Sequence, residues 1–175
     1  LWSSAVAQIS LTDDIGRTVT LPKRPERIVS LAPSITETLF AIGAGDQVAG
    51  VTDYCTYPEE ARKKPRVGGM INPSIETIVD LRPDLILLSM EGNLRDDFRR
   101  LTELGAPVFV SNPRTLHGIY ASIAALGILT GREKEAAQVV AGMQERERHV
   151  TVPMRVRVEP SVLLIVSLQP LIVAG

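Results

Sequence analysis

The chain has 175 residues, of which 45% are hydrophobic and 22% are charged, and its formal net charge is −1 at pH 7. This length and composition are typical of a globular protein that can bury a core, with one domain or one and a half. Acidic and basic residues are interspersed without a long block of one sign, which argues against nucleic acid as a partner and against a polybasic membrane patch.

The N-terminal residues predict an exported protein. The chain starts at Leu1 rather than Met, and Ala5 and Ala7 form the A-x-A pattern that precedes a secretory cleavage site. We therefore expect residues 1–7 to be the remnant of a signal peptide. Cys55, the only cysteine in the sequence, can neither form an internal disulfide nor serve as the acylated first residue of a lipoprotein. We expect a soluble periplasmic protein in which this thiol is a small packing group.

The first elements are a hairpin, a strand and a helix. Residues 9–21 contain two short strand patterns joined by a turn. The apolar run over 27–32 predicts a buried strand. Ser34 and Glu37 form an S-x-x-E capping box, which predicts a helix over 35–43. A strand followed by a capped helix makes the first α/β unit.

Strands and helices then alternate along the chain. A short strand is predicted within 47–52, followed by a loop over 53–69 with one helical turn after Pro58. Asn72 as N-cap and Pro73 as the first helical residue predict the start of the next helix. The later elements are a helix over 73–81, a strand over 84–89, a helix over 94–104, a strand over 107–111 and a helix over 115–130.

This alternation predicts an α/β fold with a mainly parallel sheet and flanking helices. We expect this N-terminal lobe to span residues 8–130. The next helix has an apolar stripe at its start and charges at its end, and we expect it to be a bridging helix over 131–153. An apolar strand and a Pro-containing turn within 154–175 predict the start of a second, incomplete α/β lobe, because one apolar strand cannot satisfy its backbone alone.

The sequence carries no set of residues with the spacing of a known catalytic or metal site. The patterns of a nucleophile elbow, a Walker A loop and an H-E-x-x-H zinc site are absent, and neither His117 nor His149 has a companion at ligand spacing. Gly43 and Gly45 end a helix instead of following a strand, which favours a helix C-cap over a dinucleotide fingerprint. We expect a binding protein with no catalytic cofactor and no metal site, and not an enzyme.

Loops at the carboxyl ends of the predicted strands are the candidate ligand site, because open parallel sheets bind ligands at that edge. Two of the three tyrosines of the chain stand in one such loop. A tyrosine offers flat apolar area and a hydroxyl at low entropic cost. The candidate ligand-binding residues of these loops are Pro33, Ser34, Tyr54, Tyr57, Met70 and Ser89.

The segment "RIVSLAPSITETLFAIGAGDQVAGVTDYCTYPEEARKKPRVGGMINPSIETIVDLRPDLILLS" resembles the ABC-transporter substrate-binding proteins for vitamin B12, heme and ferric siderophores, and is most similar to the cobalamin-binding branch. The resemblance covers residues 10–175. It implies two α/β lobes bridged by one long helix, and a rigid bridge of this kind implies that the cleft closes only slightly on ligand binding. The implied ligand is a corrinoid, with a ferric siderophore or heme as the alternatives.

Some positions of the resemblance bear on the ligand. Tyr54 falls on an aromatic residue of the cobalamin pocket, whereas Met70 and Ser89 fall where the best-known cobalamin binder has tryptophans. The heme branch has a Tyr-Met-Arg-like segment near Met70, which "GGMINPS" lacks. The resemblance therefore favours a corrinoid over heme. An enzyme or a metal-chelating domain on a related α/β scaffold is the alternative of a different class.

Glu76 falls on the acidic residue that, in this family, pairs with arginines of the permease dimer in the inner membrane. Each lobe contributes one such acid, and the two contacts mainly set orientation and specificity. The alternative is that Glu76 only favours the positive end of its helix. We expect the full-length protein to be a monomer, and this chain to associate through its unpaired strand.

Overall fold

The structure, a computed structural model, describes residues 8–90, 95–151, 164–168 and 171–174. The chain divides into two compact units, Leu1–Gly142 and Met143–Gly175. The expected signal-peptide remnant at 1–7 lies outside the described residues. Among the helices that the structure describes, none has the length and apolar character needed to cross a membrane.

The first unit alternates between strands and helices. Its strands are β1 (Ile9–Thr12), β2 (Thr18–Leu21), β3 (Ile28–Ser30), β4 (Val48–Val51), β5 (Leu85–Leu88) and β6 (Val108–Val110). Its helices are α1 (Pro33–Ala41), α2 (Glu59–Arg62), α3 (Ile75–Asp80), α4 (Arg95–Glu103), α5 (Leu116–Thr130) and the start of α6 (Glu133–Thr151). The strands and helices that the apolar periodicity predicts in this unit are confirmed, apart from helix boundaries described below.

A parallel sheet forms the centre of this unit, with the order β4-β3-β5-β6 among the described strands. All residues of β5 are buried, as are those of β3 and β6. Strands buried on both faces read as continuous apolar runs, which is why "LILL" lacks a polar alternation. The predicted α/β architecture with a mainly parallel sheet is confirmed.

The β1 and β2 strands form the predicted antiparallel hairpin, which is anchored on β6. Asp13 is buried and pairs with Arg17 at 2.7 Å, and Arg17 also donates to the Val108 carbonyl at 2.9 Å. The Arg17 guanidinium lies 4.3 Å from the ring centroid of Phe98, a cation–π distance. The Asp14 amide donates to the Val110 carbonyl at 3.0 Å. These contacts fix the hairpin turn at the carboxyl end of β6.

Helices cover the sheet. On one face Ile86 and Leu88 of β5 pack in a buried cluster with Ile78 of α3 and Leu101 of α4. Neighbouring strand residues point to opposite faces, so the alternate residues of β5 project to the other side. The α1 helix contacts β3, β4 and α5. Helices therefore pack on the sheet, with α3 and α4 against Ile86 and Leu88 and with α1 against β3 and β4.

The capping box predicted for α1 is wrong. The helix begins at Pro33 with Ala32 as N-cap, so Ser34 stands inside the first turn, where its carbonyl accepts a hydrogen bond from the Thr38 hydroxyl at 2.8 Å. Proline has the fixed φ of a first helical position and lacks only an N–H that would be unpaired there. The helix therefore starts two residues earlier than the box predicts, and its C-cap is Ile42.

The start predicted for α3 is also wrong. Its N-cap is Ser74, whose Oγ accepts a hydrogen bond from the Thr77 amide at 3.2 Å. Pro73 instead pairs with Gly68 in an antiparallel bridge. The segment before the helix folds back into a tight turn, and the helix starts only after this turn closes. The predicted end near Leu81 is confirmed, because Leu81 is the C-cap.

The α5 and α6 helices follow β6. The Thr115 hydroxyl caps α5 by accepting from the Gly118 amide at 3.0 Å, and α5 ends at Gly131, whose φ of 72° is left-handed. The α6 helix runs over Glu133–Thr151, inside the predicted range 131–153, and its role as a bridge stays a prediction. The second unit contains β7 (Leu164–Leu168) and β8 (Leu171–Ala174), which pair antiparallel. The prediction of one unpaired strand is therefore wrong, because residues 171–174 form a second strand that bonds to it. Residues 152–163 lie outside the described residues, and the assignment of this segment to a second lobe stays a prediction.

Candidate ligand-binding site

The carboxyl ends of the sheet strands carry five of the six predicted ligand-binding residues, all except Met70. Because β3, β4, β5 and β6 pair in parallel, the segments that follow them leave the sheet at one edge. Pro33 and Ser34 follow β3, Tyr54 and Tyr57 follow β4, and Ser89 follows β5. The structure therefore brings the predicted loops to the same edge of the sheet.

Two arginines hold the loop after β4, residues 52–58, through hydrogen bonds to its backbone carbonyls. Arg66 donates from one guanidinium nitrogen to the Thr52 carbonyl at 2.7 Å and to the Cys55 carbonyl at 3.0 Å. Arg62 donates from Nε to the Thr56 carbonyl at 2.7 Å. This segment, called the tyrosine loop below, is thus fixed through its own backbone.

Cys55 fixes the same loop from inside. Its side chain is fully buried, and Sγ lies 3.2 Å from the hydroxyl oxygens of both Thr36 and Thr52. The Thr36 hydroxyl is also 2.8 Å from the hydroxyl of Ser30 at the end of β3. The thiol therefore joins the loop to α1 and the sheet, and the predicted packing role of Cys55 is confirmed.

Beside the tyrosine loop stands the Gly-Gly-Met turn. The Asp53 amide donates to the Gly68 carbonyl at 2.9 Å, and the φ of +91° at Gly68 is in the left-handed region that favours glycine. A Cβ at Gly69 would overlap the Asn72 side chain and would lie 3.8 Å from the Tyr54 ring. Glycines at both positions therefore let the turn fold tightly onto Asn72, beside this ring. Met70, the next residue, is half-buried.

The tyrosine loop and the Gly-Gly-Met turn each carry a large apolar side chain that is exposed, or adjoin one. Tyr54 is 63% exposed, and Ile71 at the turn is 64% exposed. Single exposed apolar side chains are common on protein surfaces. What makes these two candidate contact residues is their place on loops at the edge where α/β sheets bind ligands. Ile71 is a residue that the sequence-based site did not include. The position of Ile71 directly after Gly68, Gly69 and Met70 is the sequence signal that indicates this residue.

A depression of about 240 Å³ lies between the ends of β3, β5 and β6. Ser34 and the buried Ser89 border it, together with Ser111, Asn112 and Ser122. The Ser111 and Ser122 hydroxyls are 2.6 Å apart and join the end of β6 to α5. The sequence-based site omitted the loop after β6, although the predicted strand at 107–111 places that loop at the same edge.

Tyr57 borders a different depression. This groove of about 770 Å³ runs along α1 and α2 and is lined by Phe40 and Ala41 as well as by Tyr57, Lys63 and Lys64. Ser34 and Ser89 do not border it in the described part of the chain. Tyr57 is 68% exposed. The structure therefore separates Tyr57 from the serines with which the sequence grouped it. Its contact with a ligand stays a prediction.

Glu76 stands in the first turn of α3, after the Ser74 cap. Its side chain is exposed and forms no ion pair with any residue that the structure describes. The helix start is explained by Ser74, whose hydroxyl binds the Thr77 amide, so Glu76 remains accessible to a partner. Its role in docking stays a prediction. No group of side chains with the composition of a metal site occurs within the described ranges.

Comparison with known proteins assigns a family. A family model described as "Periplasmic binding protein" matches residues 28–174. The chain is 38% identical over 143 residues to the "Uncharacterized ABC transporter substrate-binding lipoprotein YvrC" of Bacillus subtilis (strain 168), covering 79% of this chain and 45% of that protein. It is 36% identical over 137 residues to the "Vitamin B12-binding protein" of Yersinia pestis (strain Pestoides F), covering 78% of this chain and 46% of that protein. The chain thus spans about half the length of the curated relatives it matches.

Solved structures show the same architecture. The periplasmic vitamin B12 binding protein BtuF of Vibrio cholerae superposes with a TM-score of 0.78 at 29% identity, covering 85% of this chain and 58% of that one. The siderophore binding protein BauB matches with a TM-score of 0.78 at 21% identity over 91% of this chain and 58% of that one, a likeness that shows the fold alone. This is the type III periplasmic binding fold. From the family match over residues 28–174 and these likenesses it follows that the chain belongs to the periplasmic binding protein family.

Proposed function

We propose that the chain is the N-terminal lobe of the substrate-binding component of an ABC importer. In this proposal it captures a corrinoid, vitamin B12, in the periplasm and delivers it to the permease dimer in the inner membrane. The observation that carries the proposal is the exposed Tyr54 ring on a loop held by Arg62, Arg66 and Cys55, at the edge where α/β sheets bind ligands. The similarity to vitamin B12-binding proteins supports the choice of ligand.

The chemistry of this edge suits a large flat ligand with polar side groups. Tyr54 and Ile71 present exposed apolar surface. Met70, which precedes Ile71 in the chain, is half-buried. The exposed Ser34 hydroxyl borders the depression beyond the tyrosine loop and can hydrogen-bond to an amide. A corrin ring combines an apolar macrocycle with peripheral amides, and both parts match these groups. Binding in this proposal uses shape, apolar contact and hydrogen bonds, with no covalent chemistry.

The volume of the depression bears on how much of the ligand this lobe contacts. Pockets that enclose small molecules usually measure about 300 to 1,000 Å³, and the depression at the strand ends measures about 240 Å³. A corrinoid is larger than most such molecules. We therefore propose that this lobe supplies one wall of the site, and that a second lobe supplies the other.

A ferric siderophore or heme is the second candidate ligand. Met70 and Ser89 support this alternative, since neither supplies the broad aromatic face on which a corrin ring would stack. Both ligands are also flat or compact metal complexes of a size that one lobe cannot enclose. The three ligands differ in colour and in calorimetric response, so one titration series separates them.

Calorimetric titration of the full-length gene product tests the proposal. We expect cyanocobalamin to bind with a micromolar or tighter Kd, which corresponds to a free energy of about −8 kcal/mol or below. Binding of hemin or a ferric siderophore without cobalamin binding would overturn the choice of ligand but keep the importer role. Failure of all three would overturn the proposed function. Recovery of chemically altered ligand would instead indicate an enzyme.

A further inference from the structure

We propose that Arg66 is the positioning residue of the ligand site, holding the tyrosine loop in the conformation that presents Tyr54. This inference rests on the proposed function for the ligand it names, and on the geometry of the loop for the role of the arginine. Neither the sequence patterns nor the family match assigns a role to Arg66.

The contacts of Arg66 are concentrated on the backbone of one loop. Its Nη1 donates to the carbonyls of Thr52 and Cys55, at 2.7 and 3.0 Å, on either side of Tyr54. Its Nη2 donates to the Arg62 carbonyl in α2 at 3.3 Å. One guanidinium therefore joins both ends of the segment that carries the Tyr54 ring to the helix that follows the loop.

The position of Arg66 in the chain strengthens this role. Arg66 forms a parallel bridge with Val51, the last residue of β4, and the Val67 amide donates to the Val51 carbonyl at 3.0 Å. The arginine is thus anchored to the rigid sheet at the point where the tyrosine loop leaves it. Because its backbone is bonded to β4, the hydrogen bonds of its guanidinium connect the loop to the sheet.

The chemistry of these contacts requires an arginine. Within 8–90 and 95–151, Arg66 has no carboxylate partner, so its half-buried charge is stabilised by carbonyl oxygens. A planar guanidinium offers several donors in a fixed fork, whereas lysine is a point charge on a flexible stem. Lysine has only one nitrogen, so it could bond to the loop carbonyls but would lack the second donor nitrogen that joins them to the Arg62 carbonyl in α2, and it would hold the loop less well.

Amide hydrogen exchange in the ligand-free, full-length protein tests the role directly. The amides of Cys55 and Thr56 are bonded inside the loop, to the Thr52 and Tyr54 carbonyls at 3.1 and 3.0 Å, and so report its opening. In Arg66→Gln we expect their exchange to accelerate by about tenfold or more, as loss of charge-assisted hydrogen bonds implies. The Ile86 amide, bonded to the Pro107 carbonyl in the sheet, should change by less than about twofold.

Arg66→Lys and Arg100→Gln complete the series. We expect Arg66→Lys to fall between wild type and Arg66→Gln, because it keeps the charge and loses the fork. Arg100 is exposed on α4 and makes no side-chain contact with the tyrosine loop in the described residues, so Arg100→Gln should leave the loop amides unchanged.

The same variants are then titrated with cyanocobalamin. We expect Arg66→Gln to weaken binding by about tenfold with the sheet amides unaffected, and Arg100→Gln to bind as wild type. Unchanged exchange at Cys55 and Thr56 in Arg66→Gln would overturn the positioning role, whatever the ligand result. Faster exchange with an unaltered Kd would likewise overturn it, because the loop would then not need to be held for binding. Absence of cobalamin binding by the wild-type protein would overturn the proposed function alone.

Discussion

The Cys55 thiol in the tyrosine loop lies 3.2 Å from the Thr36 hydroxyl in α1. This contact joins the loop after β4 to the helix after β3, the two segments that bracket one half of the candidate site. It explains why a lone cysteine stands next to an exposed tyrosine. The thiol is small enough to be fully buried and polar enough to bond to two threonine hydroxyls.

The burial of Cys55 predicts that its thiol does not react in the folded protein. Reagents such as Ellman's reagent need contact with the sulfur, which is fully buried here. We expect slow labelling in buffer and labelling of one thiol per chain on addition of denaturant, because Cys55 is the only cysteine. Rapid stoichiometric labelling of the native protein would contradict the loop structure described above.

Glycine at position 68 is required by both conformation and space. A left-handed residue with a side chain costs about 1 to 2 kcal/mol, and a Cβ at Gly68 would also lie 3.1 Å from the Asn72 carbonyl oxygen and the Ser74 amide nitrogen. We expect Gly68→Ala to lower the free energy of unfolding in urea by more than Gly105→Ala. Gly105 has a φ of 77°, and no described atom lies within 4 Å of a Cβ built there. Equal losses would show that the turn at Gly68 is looser than described.

Substitution of Ile78 and of Val79, adjacent residues of α3, compares the stability effects of a buried and an exposed side chain. Ile78 is 0% exposed in the cluster under the sheet, and Val79 is 45% exposed. We expect Ile78→Ala to cost about 2 to 5 kcal/mol in the free energy of unfolding, and Val79→Ala to stay within about 0.5 kcal/mol of wild type. Similar losses for the two substitutions, measured by urea denaturation, would contradict the orientation of α3 and hence the outward position of Glu76.

The exposure of Glu76 predicts an effect on transport without an effect on ligand affinity. In Glu76→Gln the carboxylate that would contact permease arginines is lost, so we expect slower uptake in reconstituted transporter vesicles and an unchanged Kd for ligand. Glu59→Gln is the matched control, because Glu59 is also an acid in the first turn of a helix, α2. Both substitutions should change stability by less than about 1 kcal/mol. Equal transport rates for Glu76→Gln and wild type would contradict the docking role and leave Glu76 only a favourable charge at the helix start.

The sheet and its helices could be predicted because their residues carry the signal locally. The "LILL" run of β5 is apolar at every position, and Gly131 marks the end of α5. The helix starts were harder. Ser34 and Asn72 have the chemistry of caps, but Pro33 begins one helix and the fold-back of Gly68 onto Pro73 delays the other. The residue type indicates which residues can cap a helix, and tertiary contacts determine which of them caps it.

The candidate site was predictable in outline only. Tyr54 and Ser89 reach the expected edge because strand ends in a parallel sheet share one edge. The role of Arg66 could not be predicted, because its partners are backbone carbonyls, which every residue has. Tyr57 could not be separated from Tyr54 either, since the direction of each ring depends on the loop conformation and not on the spacing of the residues.

Substitution of Tyr54 in the full-length protein tests the central claim most directly. We expect Tyr54→Ala to weaken cyanocobalamin binding by at least about tenfold in calorimetric titration, as loss of a central aromatic anchor implies. Tyr57→Ala should weaken it less, because Tyr57 lines the groove along α1 and α2, whereas the Tyr54 ring lies beside the Gly-Gly-Met turn. Leu104→Ala, at a site 61% exposed just after α4, should leave it unchanged. A Kd for Tyr54→Ala equal to that of Leu104→Ala would contradict a ligand site on the tyrosine loop.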